Sequence, residues 1–93
     1  MSGFLPDLMA VIEDRKRHPK AGSYTNALLS DPVRAAQKVG EEATEVVVAA
    51  LAQSDERLVA EMADLIYHSL VLLAANDLSW EDVDVELEKR HKA

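Results

Sequence analysis

The chain has 93 residues, 48% apolar and 29% charged, with three glycines and three prolines, a balance that gives one folded domain with a modest core and excludes both a disordered chain and two independent cores. A formal net charge of −7 excludes nonspecific binding to nucleic-acid polymers or anionic lipid, because both need a basic surface. With no cysteine in the chain, disulfides, thiolate metal ligands and a cysteine nucleophile are excluded as well.

The stretch from Met1 to Asp7 has no basic segment followed by an apolar core and does not read as a signal peptide. Leu5, Leu8, Met9 and Ile12 keep helical spacing with charged residues between them, predicting an amphipathic helix over residues 5 to 17 that Pro19 and Gly22 end. His18 to Asn26 reads as the one sizeable irregular segment, followed by a short helical stretch near Ala27 to Leu29. Asp31 before Pro32 is a helix start with a mechanism, since Asp accepts from free amides of the first turn and Pro at the first helical position loses no bond. The helix that follows is predicted to reach Ala52, and after Gln53 to Asp55 a second long helix runs to about Ala75, with Ser54 or Asp55 as its cap. Ser79, with Asp82 three residues on, predicts a capping box for a last helix that ends on Lys89, Arg90, His91 and Lys92. No strand pattern and no repeat is present, so an all-α bundle of four to five helices with two long central antiparallel helices is expected. The longest run free of Asp, Glu, Lys and Arg, Leu65 to Asn76, is well short of the roughly 18 to 20 residues of a membrane span. No membrane association and a cytoplasmic location are the expectations.

Apolar residues from Leu65 to Leu73 cover nearly the whole circumference of the last long helix, and Val46 to Ala52 form a similar run on its neighbour. A lone bundle of this size struggles to bury both, which predicts a homodimer at least. Between these runs lie Glu41, Glu42 and Glu45 on one long helix and Glu61 and Asp64 on the other, each set on one face. In a tight antiparallel hairpin, residues equally far from the bend lie side by side. Positions 42, 45, 61 and 64 centre on the bend, so the two pairs should face each other. Ionised carboxylates crowded beside apolar runs suffer desolvation and repulsion. Arg34, Lys38 and Arg57 are the few cations these helices offer, so an external cation is expected, and an all-oxygen donor set favours Mg²⁺ or Mn²⁺. Such ions bind substrate phosphates, which points to nucleotide chemistry. A di-iron bundle is set aside, because it needs Glu-x-x-His on two helices. Trp80 reads as packing for the last helix and His68 as a hydrogen-bonded core residue.

Glu-x-x-Glu at 42 and 45 followed by Glu-x-x-Asp at 61 and 64 resembles the metal-binding signature of the all-α, MazG-like nucleoside triphosphate pyrophosphohydrolases. Ser23-Tyr24-Thr25, Lys38-Val39-Gly40-Glu41-Glu42-Ala43 and Glu61 to His68 narrow the resemblance to the phosphoribosyl-ATP pyrophosphohydrolases of histidine biosynthesis, over nearly the whole chain. Asn76-Asp77 departs from the pattern, since a glycine is common after that helix. The resemblance implies hydrolysis of the α–β phosphoanhydride of phosphoribosyl-ATP to phosphoribosyl-AMP and pyrophosphate with Mg²⁺, held by Glu42, Glu45, Glu61 and Asp64. Glu41 is the candidate for orienting or deprotonating the attacking water, or else an exposed glutamate. Lys38 either contacts a phosphate oxygen or pairs with Glu42 within its helix. Arg15, Arg17, Lys20, Ser23, Tyr24, Thr25 and Asn26 are candidates for closing over the substrate's extra 5′-phosphate and ribose, the alternative being that the basic residues suit the end of the first helix. Two other readings stay open: a house-cleaning pyrophosphohydrolase of ordinary nucleoside triphosphates, and a non-catalytic helical dimerisation module.

Overall fold

Caps set the two long helices where the residue pattern places them. Asp31 Oδ1 accepts a hydrogen bond from the Arg34 amide at 3.2 Å, and Pro32 opens the helix behind it. Ser54 Oγ accepts from the Arg57 amide at 3.2 Å and starts the return helix after a two-residue bend, Gln53 and Ser54. The structure, a computed structural model, describes residues 3 to 92; Met1 and Ser2 of the stretch read against a leader, and Ala93 at the end of the expected domain, lie outside the described residues. These form α1 (Leu5–Arg17), α2 (Tyr24–Leu29), α3 (Pro32–Ala52), α4 (Asp55–Ala75) and α5 (Trp80–His91), with no strand among them. The all-α expectation holds. The short helix corrects one boundary, since it begins at Tyr24 rather than near Ala27, because the Ser23 side chain caps it by accepting from the Asn26 amide. Replacing either long-helix cap, Asp31→Ala or Ser54→Ala, is expected to cost about 1 kcal/mol, read as a lower urea midpoint at unchanged slope.

The end of α4 shows how the chain manages without the glycine. The Leu78 amide bonds the Leu73 carbonyl at 2.8 Å and the Asp77 amide the Ala74 carbonyl at 3.1 Å, the two bonds of a Schellman closure. Asp77 occupies the left-handed position at φ 59°, where glycine carries no Cβ penalty. Lys16 of α1 compensates: its ammonium donates to the Ala74 carbonyl at 2.6 Å and pairs with the Asp77 carboxylate, placing a cation where the helix dipole is negative.

Met9 and Ile12 of α1, Leu28 of α2, Ala35 of α3 and Leu70, Val71 and Ala74 of α4 form the core, with Trp80 packed against it. All of the α3 and α4 members lie at the ends remote from the bend. The bend half of the hairpin, where Ala49 is the one buried apolar residue, projects from this core. A radius of gyration of 14.3 Å, against about 12 Å for a compact domain of this length, reflects that projection. Its outer face carries Val47, Val48, Leu51, Val59 and Met62 in exposed positions. By length and composition alone α4 would pass for a membrane span, because a helix of 21 residues stays apolar on average despite Glu61 and Asp64. α4 buries Glu61 and His68 as well as Leu70, Val71 and Ala74, the pattern of a helix inside a bundle.

Candidate active site

The hairpin brings three of the four predicted ligands together. Glu42 on α3 and Glu61 and Asp64 on α4 offer carboxylate oxygens that all lie within 4.8 Å of one another. Glu61 is the buried member at 6% exposure, Glu42 is half-buried and Asp64 opens to solvent, so the cluster has a floor and a mouth. Glu45 is exposed and stands outside this group. Arg57, one turn towards the bend from Glu61, reaches the Glu61 carboxylate.

Internal neutralisation is fuller than the residue counts suggested. Lys38 lies 3.4 Å from Glu41 and 3.5 Å from Glu42, so of its two predicted roles the ion pair is the one the structure displays. Desolvation pulls the Lys38 ammonium pKa down, but the Tyr24 phenol oxygen and the hydrogen bonds and charges of Glu41 and Glu42 outweigh it and raise the pKa above the usual lysine value. Lys38 is therefore a fixed cation. Two cations on three converging carboxylates leave a net negative, all-oxygen pocket, with no ion pair to Asp64 among the described residues. That donor set fits a hard dication such as Mg²⁺ or Mn²⁺, and fits a soft metal poorly.

The loop before α2 lies against α4. Gly22 takes φ +79° to turn the chain, and Asn26 ties the turn down by accepting from the Lys20 amide at 2.8 Å and donating to the Arg15 carbonyl at 2.7 Å. Lys20, Ser23, Tyr24, Asn26 and Ser30 line an open hollow of about 540 Å³ there. Arg17 instead lines a separate hollow with Glu13, Lys16, Asp77 and Asp82 at the α1–α5 end. The hydroxyls of Tyr24 and Thr25, predicted for substrate, are engaged with α4: Tyr24 Oη lies 2.9 Å from His68 Nε2, and Thr25 Oγ1 bonds the Tyr67 hydroxyl. His68 Nδ1 lies 2.7 Å from the Asp64 carbonyl oxygen, which makes Nδ1 the protonated nitrogen and leaves Nε2 to accept from Tyr24. Arg57, counted from the sequence among the few available cations, takes up that role on Glu61, whereas Tyr67 was not expected as a site neighbour; the available signal was its helical spacing, one turn after Asp64.

A helical hairpin that gathers carboxylates beside a basic, hydroxyl-rich loop is what the resemblance to the all-α, MazG-like nucleotide pyrophosphohydrolases implies, and the family comparisons agree with it. Residues 5 to 91 match the family described as Phosphoribosyl-ATP pyrophosphohydrolase. A phosphoribosyl-ATP pyrophosphatase of Methanocella arvoryzae is 42% identical over 99% of this chain and all of its own length. One from Caulobacter sp. strain K31 is 51% identical over 92% of this chain and 80% of its own. A histidine biosynthesis bifunctional protein, HisIE, of Oceanobacillus iheyensis is 44% identical over 94% of this chain and 41% of its own. The chain belongs to the phosphoribosyl-ATP pyrophosphohydrolase family.

Proposed function

We propose that this chain hydrolyses phosphoribosyl-ATP to phosphoribosyl-AMP and pyrophosphate, the second step of histidine biosynthesis, in a Mg²⁺-dependent reaction on the α3–α4 hairpin that Mn²⁺ also supports. The observation that carries it is the convergence of Glu42, Glu61 and Asp64 within 4.8 Å beside the loop that Lys20, Ser23 and Tyr24 line. These three carboxylates, joined by Glu45 from the next turn of α3, would hold the metal. When bound, the dication neutralises the triphosphate and stabilises charge on the bridging oxygen as its bond breaks.

The chain's own groups supply the rest. Glu41 is exposed, adjoins Glu42 and is held by Lys38, so its carboxylate is the group to orient the attacking water and accept its proton. Lys38 keeps Glu41 and Glu42 in place and has donor capacity left for a phosphate oxygen. Lys20 in the loop hollow, flanked along the chain by Arg15 and Arg17, supplies positive charge for the substrate's 5′-phosphate, while Ser23, Tyr24 and Thr25 set the wall against which its ribose lies. The exposed apolar face of the hairpin pairs two chains into a homodimer. No nucleic-acid polymer and no membrane takes part, and the enzyme works in the cytoplasm.

The test is pyrophosphate release from phosphoribosyl-ATP and from a panel of ordinary nucleoside triphosphates, with Mg²⁺ and with chelator. Preferential turnover of phosphoribosyl-ATP that chelator abolishes is the expected result. Equal or faster turnover of ordinary triphosphates replaces this reading with the house-cleaning one, and no turnover of any of them leaves the dimerisation module.

A further inference from the structure

Two hydrogen bonds join the start of α2 to α4 side by side. Tyr24 bonds His68, and Thr25 bonds Tyr67, across 44 and 42 residues of chain. Consecutive residues at the start of α2 thus meet consecutive residues of α4. His68 is buried, Tyr67 and Thr25 are half-buried, and the His68 and Tyr67 rings meet edge to face with centroids 5.0 Å apart. The His68 ring has no free rotation, because Nδ1 is committed to the Asp64 carbonyl and Nε2 to Tyr24. A loop rich in small and polar residues has little apolar surface to hold it, and Ser23, Gly22 and Lys20 are all at least partly open to solvent. Leu28 seats the far end of α2 in the core, and at its start the two hydroxyl contacts, with the Asn26 bonds behind them, tie the segment to α4 and α1. They also fix its distance from the carboxylates, because their anchor on α4 is the next turn after Asp64.

We propose that Tyr67 and His68 are positioning residues for this reaction, clamping the Ser23–Thr25 segment to α4 so that the phosphoribosyl end of the substrate meets its loop at a set distance from the carboxylate cluster. The proposal rests on the function above and adds to it a device for substrate choice. A loop pre-ordered before binding spares the substrate the entropy of ordering it. An ordinary nucleoside triphosphate has no second phosphoribosyl group to use it.

Three variants test the clamp. Tyr67→Phe removes the contact with Thr25 and leaves its half-buried hydroxyl unpaired, and His68→Leu removes the contacts with Tyr24 and with the Asp64 carbonyl; His68→Gln returns an acceptor near the Nε2 position. For phosphoribosyl-ATP the first two are expected to raise KM about tenfold at nearly unchanged kcat, the pattern of lost uniform binding, and His68→Gln to recover much of it. Independently of turnover, amide exchange in metal-free protein should quicken over residues 18 to 30 and stay at the wild-type rate over α3. Unchanged KM with unchanged loop exchange overturns the clamp, as does exchange that quickens evenly over all helices. A fall in kcat at constant KM also overturns it, because His68 would then act on the reacting atoms. If wild-type protein fails to hydrolyse phosphoribosyl-ATP, the function falls, and the exchange measurement still decides whether the clamp exists.

Discussion

Glu61→Gln is expected to lower pyrophosphate release about 10³-fold, or about 4 kcal/mol of transition-state stabilisation, and to abolish the stabilisation of the fold expected from the proposed Mg²⁺ binding. Glu61 is the most buried of the three converging carboxylates, so no other side chain can be substituted for it from solvent. Glutamine preserves its volume and leaves Arg57, which is largely exposed, free to turn to water, so the metal-free fold should survive. A ligand bound only by the folded state stabilises by mass action, about 2.7 kcal/mol at a hundredfold excess over Kd. A thermal melt with and without Mg²⁺ therefore separates wild type, whose midpoint rises, from the variant, whose midpoint stays put. Wild-type turnover in Glu61→Gln, or a Mg²⁺ response that persists, would remove the metal centre from the account.

Leu51→Glu combined with Val59→Glu is expected to convert the proposed homodimer into a monomer of reduced stability. Leu51 is 83% exposed and Val59 69% exposed in the single chain, on the two helices flanking the bend. Seven buried apolar residues among the described ones form the core, which is small for a domain of this length, where a single core rarely supplies more than about 3 to 5 kcal/mol. Covering the hairpin face adds to it at about 25 cal/mol per Å² of apolar surface. A carboxylate placed in that face would have to be desolvated without a partner, and symmetry presents the change from both chains. Mass measured by light scattering should fall by half, and the thermal midpoint should lose its dependence on protein concentration. A wild-type chain that is monomeric at every concentration would refute the pairing.

Much of this molecule is legible in its sequence because its helices carry their own punctuation. Asp31-Pro32, Ser54 and Ser79 mark starts, and the two-residue bend fixes the hairpin register that brings Glu42 to Glu61 and Asp64. Equidistance from a bend fixes level along the helix axes and says little about direction around them, so it could not show that Glu42, Glu61 and Asp64 meet within 4.8 Å while Glu45 lies more exposed on the next turn. A cap inside a polar loop is hard to tell from more loop, so the start of α2 at Tyr24 was missed. The partners of Tyr24 and Thr25 were invisible for a different reason. A hydroxyl beside a basic segment suits substrate and suits a distant tyrosine or histidine equally well, and only the path of the chain between residues 25 and 67 decides.

α5 contributes no buried residue and leans on the bundle mainly through Trp80. Its last turn, Lys89 to His91, has only its own helix to hold it. Local opening costs least where few apolar contacts are broken, so stability in this chain is graded: α5 can fray and re-form while the carboxylates and the loop that faces them keep their places. The chain's tail is thereby a region where sequence is free to vary or to be extended, without disturbance reaching the chemistry.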